Sequence, residues 1–374
     1  MAGLYIHIPF CASRCIYCGF YSTTHHELKQ PYVDAVCREM ELRHKDDDST
    51  INSVYIGGGT PSQLSSDQLY QLFIYINKVY SVAPNAEVTI ECNPDDITPT
   101  FVATLSQLPI NRVSMGAQTF DDNRLQFLHR RHTAKQVPVA VRLLRNAGIQ
   151  NISIDLMYGF PNESLEDWHR DIDEALALDV EHLSAYCLMI EEGTVLFEQM
   201  RNKKSDFNNN DGNEELERRM YELLTNLLTA AGYEHYEISN FARIGYRSQH
   251  NSSYWQDIPY IGLGAAAHSY DGSCRQWNVS DIRQYIAAIK KGEIPCEREV
   301  IDADTHYNDR ITVALRTCEG LDLNSLSDKY RRYCLYEAQR FLADGLLRMH
   351  DNHLTLTRKG LFVSDYIMSS LVYV

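Results

Sequence analysis

The stretch "HIPFCASRCIYCGFYS", His7 to Ser22, places Cys11, Cys15 and Cys18 in a C-x3-C-x2-C array directly after the short run Leu4–Ile8. Three thiols within eight residues can wrap one metal centre. A structural zinc site ordinarily presents two close pairs of cysteines, or cysteine with histidine. Here there is one tight triplet and no later pair, with His7 and His25 as candidate fourth ligands. An iron–sulfur cube ordinarily takes four cysteines. Three would leave one iron open, and an open position is what separates a catalytic metal site from a closed structural one.

Around this triplet the chain runs to 374 residues, enough for two domains and a large core without disulfide staples. Lys plus Arg number 35 against 50 for Asp plus Glu, a formal charge of -15. That balance argues against nucleic acid as a partner, because phosphate binding needs a basic field. The remaining cysteines, Cys37, Cys92, Cys187, Cys274, Cys296, Cys318 and Cys334, are scattered singly, as expected for reduced thiols in a cytoplasmic protein. No apolar run approaches the ~18 residues of a membrane span. No basic region followed by an apolar stretch marks a secretory signal. The expected location is the cytoplasm.

From residue 4 to about 190, β-rich runs alternate with amphipathic ones. Strands are expected at Leu4–Ile8, Asn52–Ile56, Glu87–Glu91, Arg112–Met115, Ile152–Leu156 and His182–Tyr186. Helices are expected at Tyr32–Arg43, Leu69–Tyr80 (with Ser65 as cap), Lys135–Asn146 and Leu165–Leu178. This repeat implies parallel strands with right-handed crossovers, in a barrel, a partial barrel or a doubly wound sheet. Each of these puts its ligand site at the C-terminal strand ends. Residues 201–215, polar and Asn-rich, read as a solvated loop. A helix over Leu216–Ala231 and the strand-like "YEHYEISNF" follow. From about residue 275 helices are expected, then the hairpin-like "GLLRMHDNHLTLTRKG" and a final helix. That tail resembles a winged helix, read as a packing or lid domain because it is not strongly basic.

The strand ends carry polar groups. "GGGTP", Gly57 to Pro61, lets backbone approach a ligand closely. Glu91 in "TIECNP", Gln118 in "SMGAQTF" and Asp155 in "SIDLMYGFP" end three successive strands, which favours one shared polar ligand. Arg130 in "LHRRHT" is a candidate cation there, or an ordinary surface arginine.

The cysteine array on a loop after the first strand resembles the radical S-adenosylmethionine (SAM) superfamily. "YIHIPFC", "GGGTPS", "SMGAQTF", "IDLMYGFP", "YEISNFAR" and "YIGLGAAAHSY" narrow the resemblance to the coproporphyrinogen dehydrogenase (HemN) family and its HemW relatives. The resemblance implies a partial (β/α)6 barrel over residues 1–235. A smaller, mainly helical C-terminal domain over 236–374 would follow, winged-helix-like over 305–374. It implies a 4Fe–4S cluster on Cys11, Cys15 and Cys18, and SAM contacts at Tyr5, Tyr17, Gly59, Thr60, Glu91, Gln118, Arg130 and Asp155. The oxidase branch carries a further cysteine two positions after the third; here that position is Phe20. "HNSSYW" fits the H-N-x-x-Y motif of the haem-chaperone (HemW) branch and implies haem binding through His250 and Tyr254. Without the family, a His and a Tyr four apart are usually structural hydrogen-bonders. The implied function is delivery of haem to an acceptor protein, with an electron donor of flavodoxin or ferredoxin type. The alternative is oxygen-independent oxidation of coproporphyrinogen III. No catalytic residue is assigned.

Overall fold

The structure, a computed structural model, describes residues 2–43, 50–202 and 210–374. Six strands pair in parallel and in chain order: β1 (Ala2–Ile8), β2 (Ile51–Gly58), β3 (Val82–Cys92), β4 (Arg112–Gln118), β5 (Asn151–Tyr158) and β6 (His182–Cys187). Each contains the run expected from sequence. The crossovers carry α1 (Lys29–Arg43), α2 (Ser66–Val79), α3 (Pro99–Leu105), α4 (Asp122–Phe127), α5 (Gln136–Asn146) and α6 (Leu165–Ala177). The Ser65 hydroxyl accepts from Gln68 N–H at the start of α2, while the Gln68 side chain accepts from Ser65 N–H. This reciprocal cap satisfies two donors that a helix start leaves open.

Side chains alternate across a strand with a period of two. Leu4, Ile6 and Ile8, then Val54 and Ile56, Val88 and Ile90, Val113 and Met115, Ile152 and Ile154 all join one hydrophobic core. The residues between them are polar: Tyr5 and His7, Ser53 and Tyr55, Thr89 and Glu91, Arg112 and Ser114, Ser153 and Asp155. A fully covered parallel sheet is usually apolar on both faces. This one is mainly apolar towards its helices, so the inner face of a partial (β/α)6 barrel is largely polar.

The segment read as a loop at 201–215 is helical at both ends: α7 (Val195–Asn202) and α8 (Asn210–Ala230) flank residues 203–209, which lie outside the described residues. Arg218 pairs with Glu215 and Glu222 at helical spacing, so charge pairs support the first turns of the helix expected over Leu216–Ala231 and its extension to Glu215. Beyond α8 the sheet continues. β7 (Glu234–Glu237) and β8 (Asn240–Ala242) form an antiparallel pair against β6. After α9 (Gln249–Trp255), β9 (Tyr260–Leu263) pairs parallel to β1. β10 (His268–Tyr270), β11 (Cys274–Asn278) and, after α10 (Ile282–Lys290), β12 (Cys296–Val300) extend that side antiparallel. Strands β11 and β12 stand where helices were expected. Four of the five β12 residues are exposed, so backbone pairing rather than apolar alternation defines the strand.

A second core gathers Tyr307, Ile311, Leu315, Cys334, Phe341, Leu354 and Ile367. It is built from α11 (Ala303–Ala314), β13 (Leu321–Asp322), α12 (Asp328–Ala343), the hairpin β14 (Leu347–His350) and β15 (His353–Leu356), α13 (Arg358–Leu361) and α14 (Ser364–Leu371). Backbone bonds from Ile238 N–H to Arg316 O (3.1 Å) and from Cys318 N–H to Tyr236 O (3.0 Å) join it to the sheet.

Candidate functional site

The three cysteines ride on the loop that leaves β1. Cys11 N–H donates to Thr23 O (2.9 Å) and Thr23 N–H to Pro9 O (2.7 Å), closing the loop at its neck. Ile16 pins its far side in a small apolar cluster with Leu128, Met157, Phe160, Leu188 and Leu196. All three cysteines are half-buried and free. Thr60 Oγ1 lies 3.5 Å from Cys11 Sγ, and Arg130 Nη1 lies 3.6 Å from Cys15 Sγ. Burial pushes the Cys11 and Cys18 thiols above their ordinary value, so a metal centre must displace their protons. Among the described residues no three side chains already form a metal-binding cage. The loop supplies a three-sulfur donor set with an Arg and a Thr aimed at two of the sulfurs, and that chemistry fits a thiolate-held iron–sulfur centre.

The strand ends around this loop converge. Gly58 has φ 112°, and Gly59 N–H donates to Ile8 O at 2.8 Å. A Cβ on Gly59 would stand 2.7 Å from the Pro9 carbonyl carbon, so only glycine lets β2 close on β1 here. Thr60 is buried beside it. Glu91 accepts from Tyr55 Oη (2.7 Å) and Gly58 N–H (3.0 Å), and burial pushes its carboxyl up to about 7. Burial also raises Asp155, opposed by the Ser184 hydroxyl and the Arg112 guanidinium. Gln118 ends β4 at φ 69°, a strained conformation for a residue with a Cβ. Arg130 donates to Asn93 Oδ1 (2.9 Å) and to Gly116 O, while its buried Nε has no partner among the described residues. Tyr17 lies within electrostatic reach of Arg130, Cys15 and Asp155. Tyr5 sits deeper, its hydroxyl 2.9 Å from His7 Nδ1.

His250 and Tyr254 lie towards the other end of the strands. The N-terminus of α9 is seated on Glu87, which accepts from Gln249 N–H and His250 N–H at 3.0 Å each. The His250 ring stacks on Tyr55 at 5.1 Å and on Tyr5 at 6.3 Å. Its Nδ1 bonds Ser53 Oγ and its Nε2 bonds Tyr254 Oη, each at 2.9 Å. The residue is 1% exposed, and burial with the nearby Arg112 charge pushes its pKa down to about 3. It is a neutral imidazole whose two ring nitrogens both have hydrogen-bond partners within the fold.

Sequence reasoning found the strand ends but missed the inner column beneath them. Arg112 is 1% exposed, and its Nε and Nη1 have no hydrogen-bond partner among the described residues. His182 bonds Ser153 Oγ and Tyr236 Oη at 2.7 Å each. The signal was present: every barrel strand alternates apolar with polar, which a doubly covered sheet does not need.

A family model described as the radical SAM superfamily matches residues 5–175, and one described as the HemN C-terminal domain matches 301–363. A protein named "Heme chaperone HemW" from Mycobacterium tuberculosis is 35% identical over 99% of this chain and 94% of its own. One of the same name from Bacillus subtilis is 33% identical over 100% and 99%. The chain superposes on the Escherichia coli structure described as "Coproporphyrinogen III oxidase (HemN)" with a TM-score of 0.86. That match covers 99% of this chain and 90% of the other at 21% identity, and it speaks to the fold alone.

Proposed function

The chain belongs to the HemW family of radical SAM proteins, and from that premise we propose that it binds haem and hands it to an acceptor protein. The observation that carries this reading is the end-to-end similarity to relatives named haem chaperones. Phe20 agrees with it. The residue two after Cys18 is a 70% exposed phenylalanine, so the loop offers three thiols and no fourth.

In this reading Cys11, Cys15 and Cys18 hold a 4Fe–4S cluster, and SAM lies against Tyr17, Gly59, Thr60, Glu91, Gln118, Arg130 and Asp155, with Tyr5 below. When bound, the cluster supplies an electron to the sulfonium of SAM. The protein's part is electrostatic. Glu91, balanced near neutrality by burial, gains a negative charge when a cationic group arrives beside it. Arg130 supplies fixed positive charge from Asn93 and Gly116, and Gly58 and Gly59 let backbone close on the ligand. No helix among the described residues is long and apolar enough to cross a membrane. We place the protein in the cytoplasm, with a flavodoxin or ferredoxin as reductant.

The test is anaerobic, on cluster-reconstituted protein. Haem uptake with a new Soret band, followed by transfer to an apo-haemoprotein, supports the proposal. Formation of protoporphyrinogen IX from coproporphyrinogen III, SAM and reductant at an enzymatic rate would overturn it.

A further inference from the structure

Arg112 is a buried cation short of partners. Its side chain is sealed from solvent, and Nε and Nη1 have no hydrogen-bond partner among the described residues. An arginine does not shed its proton, so a buried one needs a negative charge nearby. Strand register shows which charges can serve. Arg112 stands opposite Thr89 on β3, and Ser114 stands opposite Glu91, so Glu91 lies one inward step above Arg112, roughly 7 Å along the barrel. Asp155 stands opposite Gly116, one step higher again on β5. Glu87, the other buried carboxylate on this face of β3, is already engaged. It accepts from Gln249 N–H, His250 N–H and the Ser248 hydroxyl. Glu91 and Asp155 remain.

The groups around these two carboxylates do not supply the charge that Arg112 does. Tyr5 from β1, Tyr55 from β2 and Tyr254 from α9 face Glu91. Tyr17 from the cysteine loop, Tyr55 and Tyr186 at the end of β6 face Asp155, as do the Ser114 and Ser184 hydroxyls. Burial raises all of these tyrosines, so they stay neutral. Burial lowers His182 and His250 beside Arg112, so they stay neutral too. Arg130 bears on Asp155, but it hands its donors to Asn93 and Gly116. Burial works against the charge on both carboxylates, and Asp155 opposes the charge on Glu91.

We propose that Arg112 is a positioning residue for SAM: from beneath the strand ends, its guanidinium keeps Glu91 and Asp155 able to ionise, so that the cationic ligand meets carboxylates rather than carboxylic acids. Arg112 itself touches no ligand. Once both carboxylates are formed, its fixed positive charge repels the ligand's own. Arg112 therefore favours SAM at low pH and opposes it at high pH. This inference rests on the SAM site proposed above.

The test is anaerobic calorimetry of SAM on cluster-reconstituted, full-length protein. Kd is read across the pH range, with circular dichroism and melting checks that each variant is folded. Arg112→Gln is expected to raise Kd ~10-fold at about pH 6, as for the loss of an opposite charge beside a carboxylate, and to match or better the parent at about pH 9. Arg112→Met, neutral and unbranched, replaces it if the Gln variant does not fold. Arg112→Lys keeps the charge and is expected to keep the parental profile. With Glu91→Gln already in place, Arg112→Gln is expected to have a smaller effect. A neutral variant that raises Kd by the same factor at every pH, or leaves Kd unchanged, overturns the proposal. So does an Arg112→Lys profile like that of the neutral variant. If the unsubstituted protein binds no SAM, the SAM site itself falls.

Discussion

Glu91 shows how a single side chain trades stability for binding. Its carboxyl titrates near 7 in the fold, against 4.5 for the free side chain. Between those values the folded state holds the proton and the unfolded chain does not, so stability falls as pH rises from about 4.5 to about 7. Allowing for partial exposure, the loss is on the order of 2 kcal/mol. Glu91→Gln removes the charge. The Gln amide oxygen can still accept from Gly58 N–H, and its NH2 can donate to Tyr55 if that hydroxyl turns. The variant should resist urea better than the parent at pH 8, match it near pH 4, and bind SAM more weakly. An unchanged midpoint at pH 8 would contradict the assigned burial. Tyr254 gives a second case. Tyr254→Phe deletes the hydroxyl that bonds His250 Nε2, its one partner among the described residues. An unmatched buried group costs about 1–3 kcal/mol, so the urea midpoint should drop accordingly. A loss below ~0.5 kcal/mol would mean that water reaches the ring.

At the scale of elements, the ends of β1 and β2 and the loop between β1 and α1 answer to different rules. Gly59→Ala drives a Cβ into the Pro9 and Ile8 backbone, at 2.7 and 2.9 Å, and neither atom can rotate away. SAM affinity should fall by ~10-fold or more, because in the proposed site the displaced strand end is the one that closes on the ligand. Retained affinity by calorimetry would remove "GGGTP" from the site. Cys11→Ala should behave oppositely to a core mutation. The loop lies outside every strand, so far-UV dichroism should be unchanged while the brown chromophore and its iron are lost. Stoichiometric zinc without iron in the anaerobically purified parent would refute the cluster assignment. The same contrast explains what was readable. Leu4–Ile8 and Ile152–Leu156 announce themselves by alternation, whereas β11, β12 and the start of α8 depend on pairing and charge and leave no apolar period.

For the whole molecule, the buried apolar side chains among the described residues fall into a barrel core and a separate C-terminal core. They meet through backbone bonds around residues 236–238 and 316–318, through the pairs Arg247–Glu319, Arg275–Asp309 and His306–Asp257, through Arg358 on Asn226, and through Tyr221 edge-on against Phe362, contacts that are mostly polar. Contacts of that kind couple two cores weakly. Native-state hydrogen exchange should show α11–α14 opening as a unit with lower free energy than β1–β6. One common opening energy for both would show a single cooperative body. The inner face of the barrel, by contrast, is one electrostatic unit: Arg112 bears on Glu91, Asp155, His182 and His250 at once.

The sequence by itself determined the parallel repeat, the cysteine loop, the polar strand ends and the family, because each is written in local spacing. Alternation sets which face a residue takes, and three thiols within eight residues need no distant partner to be noticed. Tertiary structure alone decided where His250 points, since both of its ring partners and its burial come from packing. One partner, Ser53, lies 197 residues away. It also decided that Arg112 lies buried beneath Glu91 and Asp155. Those residues stand on three separate strands, and only the register of their pairing sets one above another.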